Sequence, residues 1–320
     1  MDITTFLREW ESASPTILVH TSGSTGEPKP LYVEKCRMEA SARLTCSFLG
    51  LKPGDRALLC LSLDYIAGKM MVVRALTCGL RLVEVEPSGH PLASVSGIDF
   101  AAMVPLQVYN SLQVSEECER LKHIRQLIIG GGAIDDVLAQ QLRSFPNAVW
   151  STYGMTETLS HIALRRLSGD TASEWYTPFD TVSLNLDVDG CLVIDAPIVC
   201  SQTITTHDIA ELRPDGRFRI LGRKDNIVCS GGMKIQIEEV ERRLQQHTKT
   251  PLLITRRHDT RLGECLVLLT TSTDLSTLRQ LCRLVLPRYW QPQVFKTVNA
   301  LPLTPTGKPA RKAAERIASE

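Results

Sequence analysis

Residues 56–85 read RALLCLSLDYIAGKMMVVRALTCGLRLVEV, and the alternation of apolar runs and breakers in this stretch indicates the fold class. Residues 56–61 are a short apolar run, which is typical of a strand that is buried on both faces. Residues 69–76 have helical spacing, and Gly79 ends the predicted helix. Residues 81–85 predict the next strand. A strand, a helix and a strand in this order predict a parallel βαβ unit.

The same alternation extends to both sides of this unit. A strand is predicted at 16–20 and a helix at 34–49, and further strands at 100–104, 126–130 and 148–151. Short buried strands that alternate with helices predict an α/β fold, in which mostly parallel sheet layers are covered on both faces.

Near residue 180 the pattern becomes antiparallel. Residues 184–194 predict a hairpin that turns at Asp189 and Gly190, and residues 218–221 predict a further strand. This part therefore predicts a small antiparallel unit.

The remaining sequence predicts a compact α+β segment. Its predicted helices and strands lie at 237–245, 251–255, 264–270 and 274–286. We therefore predict a large N-terminal domain at 1–224, which includes the antiparallel unit, and a small mobile C-terminal domain at 225–320.

Composition and charge exclude several classes of protein. The 320 residues are 43% hydrophobic, which excludes disorder as the main state. Lys and Arg total 36 against 35 Asp and Glu, and a net charge of +1 disfavours a nucleic-acid partner. Residues 57–83 are the longest apolar region, but Asp64, Lys69, Arg74 and Arg81 interrupt it, so we expect no membrane span. The ten cysteines include no CxxC pair and the start has no signal-peptide pattern, which predicts a cytoplasmic protein.

The first candidate binding motif, TSGSTGEPK, occupies residues 21–29 directly after a predicted strand. Glycines let the backbone approach an anion, hydroxyls donate hydrogen bonds, and a lysine adds positive charge. The alternative is a flexible Ser/Gly turn. The candidate ligands in this motif are Thr21, Ser22, Gly23, Ser24, Thr25, Gly26 and Lys29.

Two further motifs follow in the large domain. Residues 151–158 read STYGMTET and offer an aromatic face for a base, hydroxyls for a phosphate and a carboxylate for Mg²⁺. Asp208, in THDIAE, is suited to bonding ribose hydroxyls. For both motifs the alternative is an ordinary turn at the end of a strand.

The last two motifs lie at the predicted boundary and near the C-terminus. Residues 222–241 begin with GRKDNIVCSGGMK, and residues 301–311 read LPLTPTGKPAR. Pro and Gly predict an extended loop that presents Lys308 at its tip. The alternative for this loop is a tail of solvated lysines.

Together and in this order, the five motifs resemble those of the adenylate-forming superfamily, which includes acyl- and aryl-CoA ligases, luciferases and peptide-synthetase adenylation domains. The resemblance covers nearly the whole chain. It implies a two-step reaction with ATP, Mg²⁺ and CoA. A carboxylate attacks the α-phosphorus and releases pyrophosphate, and a thiol then displaces AMP from the acyl-adenylate.

The resemblance also implies roles for individual residues. Residues 21–29 would wrap the β- and γ-phosphates, and Lys308 would bridge the carboxylate and the α-phosphate. Asp225 would be the hinge of the small domain, and Gly231 and Gly232 would approach CoA. The roles around the nucleotide are adenine contact for Gly131, Gly132, Ala133, Tyr153 and Gly154, α-phosphate contact for Thr156, Mg²⁺ ligation for Glu157, and ribose binding for Asp208 and Arg223.

Two stretches resemble o-succinylbenzoate–CoA ligases of menaquinone biosynthesis, namely residues 61–76 and the VPLQ segment within 102–108. This resemblance implies an aryl keto-dicarboxylate substrate, with Tyr65 at the gate of its pocket and Ser160 and His161 in contact with it. Lys69 and His161 are the candidate partners of the second carboxylate. The alternatives are a solvated helix face for Lys69 and a hydrogen-bonded core histidine for His161.

The sequence also departs from the family pattern. Only 20 residues precede the phosphate motif, fewer than in most relatives, so the acyl pocket is expected to be more open or completed by a second subunit of a homo-oligomer. Tyr65 stands where many relatives have His, and His207 stands where Gly is usual. The alternatives are a ligase for another aryl or fatty acid, a carrier-protein adenylation enzyme, and a non-catalytic AMP-binding relative.

Overall fold

A computed structural model describes residues 1–20, 30–132, 134–304 and 309–320 of the chain. The predicted phosphate motif at 21–29, Ala133 and Lys308 lie outside the described residues.

The first part of the chain alternates strands and helices, as predicted. Its strands are β1 (Thr16–His20), β2 (Pro30–Glu34), β3 (Arg56–Leu59), β4 (Arg81–Glu84), β5 (Phe100–Met103), β6 (Gln126–Ile129), β7 (Ala148–Gly154), β8 (His161–Arg166) and β9 (Thr177–Pro178). Its helices are α1 (Ile3–Glu11), α2 (Lys35–Leu49), α3 (Ile66–Cys78), α4 (Pro105–Leu112), α5 (Ser115–Lys122) and α6 (Asp136–Arg143).

The central sheet has the strand order β4-β3-β5-β6-β7-β8-β9 over the described ranges. Strands β4 to β7 pair in parallel, while β8 and β9 are antiparallel. Ala57 and Leu59 pack into one apolar cluster and Leu58 into another, so the two faces of β3 are both covered. The α/β fold predicted from the sequence is therefore confirmed.

The strand predicted at 16–20 does not join this sheet. β1 pairs antiparallel with β2 in a separate two-stranded ribbon, in which Thr16 faces Glu34 and Val19 faces Leu31. β2, which begins at Pro30, was not predicted from the sequence. Proline is compatible with the first residue of a strand, which is the position it occupies here.

The second sheet contains β10 (Ser183–Leu186), β11 (Cys191–Asp195), β12 (Ile204–Leu212) and β13 (Phe218–Arg223), in that order and antiparallel. The predicted hairpin at Asp189 and Gly190 is confirmed. Asp208 lies inside the long strand β12, opposite Arg223 on β13, and not in a turn.

A third sheet begins after the short 3-10 turn Lys224–Asn226. Its order is β15-β14-β17-β16, and β18 pairs in parallel with β17. The elements are β14 (Ile227–Ser230), β15 (Met233–Gln236), α7 (Ile237–Gln245), β16 (Leu252–Asp259), β17 (Gly263–Thr270), α8 (Leu275–Val285), β18 (Val294–Thr297) and α9 (Arg311–Ser319). Separate apolar clusters form its core. Among the helices described, none combines the length and apolar character needed to cross a bilayer.

Candidate functional site

Four of the predicted nucleotide residues lie at the carboxyl edge of the central sheet. Gly131 and Gly132 follow β6, and Tyr153 and Gly154 end the neighbouring strand β7. Because parallel strands end at the same edge, these segments lie side by side. The carboxyl edge of an open α/β sheet is also where such folds bind ligands.

A tight turn follows β7. Thr156–Thr158 form a 3-10 turn in which Thr156 is buried and Glu157 is exposed. Leu159 then has a φ of 65°, a left-handed conformation that costs energy for a residue with a side chain. Its side chain is buried, and that packing offsets part of the strain. The turn therefore holds the Glu157 carboxylate in solvent beside the sheet edge.

Gly154 lets this turn fold back onto β7. A Cβ atom at Gly154 would lie 2.3 Å from the Ser160 carbonyl oxygen and 2.5 Å from the Cα atom of His161. These are backbone atoms, which cannot move aside without shifting β8. Glycine is therefore required here by close backbone approach, which is a reason independent of any ligand.

A chain of hydrogen bonds joins the central sheet to the second sheet. Tyr153 Oη donates to Asp208 Oδ2 at 2.8 Å, and Arg223 Nη1 donates to Asp208 Oδ1 at 3.0 Å. The Tyr153 ring packs edge-on against Phe218, at a centroid distance of 5.1 Å. Burial, together with the negative charge of Asp208, raises the pKa of Tyr153. Tyr153 is therefore a neutral hydrogen-bond donor, and three of the predicted nucleotide residues are in contact.

The predicted hinge residue Asp225 extends this chain. His207 Nδ1 lies 2.8 and 2.9 Å from the two carboxylate oxygens of Asp225, and Arg223 Nη2 donates to Oδ2 at 3.2 Å. Partial burial opposes ionisation, but the hydrogen bonds from His207 and Arg223 hold the pKa of Asp225 below its ordinary value. Next to it, Lys224 Nζ donates to Asp189 Oδ2 at 2.5 Å. The segment between the sheets is thus held by ion pairs.

A buried polar cluster around Arg74 lies behind the turn at Leu159. Arg74 on α3 is 2% exposed, and its Nη2 donates to Ser160 Oγ at 2.6 Å. Among the residues that the structure describes, no carboxylate pairs with Arg74 and its Nε has no hydrogen-bond partner. Burial lowers the pKa of Arg74 to about 10, so the group keeps its charge at neutral pH. A buried charge with neutral partners is costly, which makes this arginine a candidate for anion binding.

His161, the first residue of β8, lies in the same cluster. Its Nε2 is 3.1 Å from Thr45 Oγ1, and its Nδ1 is 3.3 Å from Ser160 Oγ. Burial, with the nearby charge of Arg74, holds the pKa of His161 well below its ordinary value. His161 is therefore neutral.

The other two predicted substrate residues lie near the start of α3. Lys69 is buried, and its Nζ donates to the Leu18 carbonyl oxygen at 2.6 Å. Burial lowers its pKa. Lys69 thus joins α3 to the ribbon that leads into residues 21–29. Tyr65 precedes α3 and is 43% exposed.

Gly231 and Gly232, predicted to approach CoA, form the tight turn between β14 and β15. Their φ angles of 56° and 82° lie in the left-handed region, which two-residue hairpin turns of this kind require. The turn alone therefore accounts for glycine at both positions.

Arg74 was not identified as a site residue from the sequence. It lies within residues 61–76, which were identified as the acyl-pocket stretch, but Lys69 was preferred there. The available signal was a charged residue inside the apolar run MVVRAL. A helix that is apolar on all sides of such a residue is buried, so the charge is not exposed to solvent.

Comparison with known proteins gives a family. The family model described as AMP-binding enzyme matches residues 6–188. A 2-succinylbenzoate–CoA ligase of Salmonella typhimurium is 30% identical over 256 residues, which are 74% of this chain and 54% of that protein. The chain spans 66% and 57% of the next two curated relatives. It is thus shorter than the relatives it matches.

Two solved structures are also similar. An acyl-CoA synthetase (AMP-forming)/AMP-acid ligase II-like protein from Dyadobacter fermentans is 33% identical, with a TM-score of 0.67 over 97% of this chain and 91% of that chain. A variant of E. coli MenE with bound OSB-AMS is 25% identical, with a TM-score of 0.76 over 96% of this chain and 70% of that chain. The matched family model covers more than half of the residues, and the chain belongs to the family of AMP-binding enzymes.

Proposed function

We propose that this chain is an AMP-forming acid–CoA ligase and that its acid is o-succinylbenzoate, which would place it in menaquinone biosynthesis. The acid carboxylate would attack the α-phosphorus of ATP, with release of pyrophosphate. The CoA thiol would then attack the acyl carbon, with release of AMP. Family membership supports the first step, and the names of the relatives support the acid and the thiol.

The contacts among Tyr153, Asp208 and Arg223 support the proposed nucleotide site. Asp208 already accepts one hydrogen bond at each oxygen, and each oxygen has a further lone pair for a ribose hydroxyl. Tyr153 would contact the adenine. The backbone at Gly131, Gly132 and Gly154 would also approach the adenine closely, because glycine has no side chain. Thr156 would contact the α-phosphate.

The donor set at the sheet edge fits Mg²⁺. Among the described residues no group of three metal-ligating side chains occurs. Glu157 offers one exposed carboxylate, and Mg²⁺ characteristically uses one or two protein carboxylates together with substrate phosphates and waters. We propose Glu157 as that ligand, and the ion would neutralise phosphate charge when bound.

The observation that carries the choice of acid is the buried charge of Arg74 beneath Ser160, which no carboxylate of the described residues pairs. A monocarboxylic acid has no use for a second cation in the acyl pocket, because its one carboxylate reacts at the phosphate. A dicarboxylate needs one, and a guanidinium is the side chain best suited to it. We propose that Arg74 provides the charge for the second carboxylate, with Ser160 at the pocket wall and Tyr65 at its entrance.

The proposed second step needs the small domain. We propose that residues 225–320 rotate about Asp225, so that Lys308 serves adenylation and the region of Gly231 and Gly232 serves CoA. The ion pairs of Asp225 and Lys224 would hold one of the two orientations.

Exchange of labelled pyrophosphate into ATP tests the adenylation half. The purified chain is incubated with Mg²⁺ and o-succinylbenzoate, benzoate, a fatty acid or no acid. We expect exchange that depends on o-succinylbenzoate. Exchange with another acid only would overturn the proposal that o-succinylbenzoate is the substrate. Saturable AMP binding without exchange for any acid would favour a non-catalytic AMP-binding protein.

A further inference from the structure

The hydrogen-bond chain around His161 runs between two helices. Arg74 on α3 bonds Ser160, Ser160 bonds His161, and His161 bonds Thr45 on α2. Thr45 Oγ1 also donates to the Ser41 carbonyl oxygen at 3.1 Å, in the preceding turn of the same helix. His161 and Thr45 are buried and Ser160 is partly buried.

The direction of each bond follows from the number of available protons. A threonine hydroxyl has a single proton, and in Thr45 it is given to the Ser41 carbonyl. Thr45 Oγ1 must therefore accept, so His161 Nε2 carries the ring proton. In neutral imidazole, Nδ1 is then the acceptor, and it takes the hydroxyl proton of Ser160.

Because the Ser160 hydroxyl gives its single proton to His161, its oxygen keeps its lone pairs and can accept a hydrogen bond from Arg74. The Arg74 guanidinium can only donate, so the 2.6 Å contact requires an accepting oxygen. If the ring were the Nδ1–H tautomer or protonated, Nδ1 would be a donor. The Ser160 proton would then turn away from the ring, and the short contact with Arg74 would lose its alignment.

We propose that His161 is a positioning residue, which as the Nε2–H tautomer orients the Ser160 hydroxyl and thereby fixes the Arg74 guanidinium. It does not touch the acid. This role differs from the direct substrate contact expected from the sequence, because both ring nitrogens are already engaged by protein groups. The expected effect of His161 on acid binding rests on the proposed function of Arg74. The assignment of the His161 tautomer does not depend on that function.

The tautomer is tested on the unmodified chain, without substrate. In protein labelled with ¹⁵N-histidine, long-range ¹H–¹⁵N correlation distinguishes the two neutral tautomers and the imidazolium. The His161→Phe variant assigns the signals by their loss. We expect the Nε2–H pattern, unchanged between about pH 5 and 8, the range in which free histidine titrates. An Nδ1–H pattern or a protonated ring would overturn the proposal.

The positioning role is tested by substrate selectivity. His161→Phe keeps the ring size and removes both nitrogens. We expect the KM for o-succinylbenzoate to rise about tenfold, as for loss of one buried hydrogen bond, with the KM for ATP within about twofold. An equal rise for both substrates, or none, would contradict the role.

A double variant shows whether His161 acts through Ser160. We expect Ser160→Ala to raise the KM for the acid, and Ser160→Ala with His161→Phe to raise it no further, because the two side chains form one chain. Additive effects would contradict the proposal and indicate direct contact of His161 with the acid.

Thr45→Val keeps the experiment decisive if the ring variant does not fold. It removes the acceptor of Nε2–H and should shift the tautomer signals of His161. Thr270→Val is the matched control, since Thr270 is equally buried, donates to the Pro251 carbonyl at 2.8 Å, and lies in the third sheet. Unshifted His161 signals in Thr45→Val would overturn the proposal. Absence of any acid-dependent reaction in the unmodified chain would overturn the proposed function but leave the tautomer result standing.

Discussion

Tyr153 on the central sheet donates a hydrogen bond of 2.8 Å to Asp208 on the second sheet. The two residues are 55 positions apart and belong to different motifs, yet they form one unit with Arg223. The hydroxyl and the guanidinium both orient the carboxylate that would meet the ribose. The proposed nucleotide site therefore depends on how the two sheets are packed together, and not on either motif alone.

Removing the Tyr153 hydroxyl tests this dependence. In Tyr153→Phe the ring packing on Phe218 is kept, but Asp208 loses a buried donor, which is worth about 1 kcal/mol. We expect the KM for ATP to rise about fivefold and the KM for the acid to stay constant. Tyr176→Phe is the control, because Tyr176 bonds Ser151 and not Asp208. Equal KM values for ATP in the two variants would contradict the claim that Tyr153, Asp208 and Arg223 bind the nucleotide as one unit.

Arg74→Met separates acid recognition from stability. A charged hydrogen bond to the second carboxylate is worth about 2–3 kcal/mol, so we expect the KM for o-succinylbenzoate to rise roughly 50-fold, while any residual use of benzoate is unchanged. The Tm should stay equal or rise, because the substitution removes a buried charge that no carboxylate in the described ranges pairs. Arg81→Met, at an exposed residue of β4, is the control. An equal loss of the reaction with o-succinylbenzoate and with benzoate would contradict the proposed role of Arg74 in binding the second carboxylate.

Gly154→Ala tests the close approach of the turn to β7. The added methyl group would lie 2.3 Å from the Ser160 carbonyl oxygen, and we expect a loss of about 2–3 kcal/mol in the free energy of unfolding. In Gly132→Ala the new methyl group would meet the Pro105 side chain at 3.4 Å, so little loss is expected. Urea unfolding measures both, and similar losses would show that the approach at Gly154 is not limiting.

The N-cap of α8 predicts a pH dependence of stability. Hydrogen bonds from Ser276 and Thr277 lower the pKa of Asp274 from 3.8 to about 2 in the folded chain. Because the folded pKa is the lower one, the contribution is fully present above about pH 4 and is lost as pH falls toward 2. We therefore expect Asp274→Asn to unfold at lower urea than the unmodified chain at neutral pH, with the gap closing in acid.

A control accompanies the Asp274 measurement. Asp170 is exposed, and Asp170→Asn changes the net charge by the same amount. Its unfolding midpoint should follow the unmodified chain at each pH. If the difference in urea midpoint between Asp274→Asn and the unmodified chain does not narrow in acid, the proposed stabilisation of α8 by ionised Asp274 is contradicted.

Local patterns in the sequence predicted much of the fold. The unit β3–α3–β4 follows from two apolar runs and Gly79, and α7 has the predicted bounds 237–245. The hairpin at Asp189 and Gly190 follows from turn chemistry, since Gly190 has a φ of 78°. These features depend on neighbouring residues, so a single sequence contains their signal.

The features that were missed depend on distant residues. β2 was missed because its strand character comes from its antiparallel pairing with β1 in a separate ribbon. Arg74 was missed because its burial depends on the packing of α3 against the turn after β7. The contact of His207 with Asp225 joins the second sheet to the segment that follows it, and no local pattern predicts it.

The most direct test of the proposed function is detection of its product. The purified chain is incubated with ATP, Mg²⁺, CoA and o-succinylbenzoate, beside parallel reactions with benzoate, a fatty acid or no acid, and the products are identified by mass spectrometry. The proposed function predicts o-succinylbenzoyl-CoA with an equal amount of AMP, and neither in the reaction without acid. An acyl-CoA from another acid only, or no AMP from any acid, would contradict it.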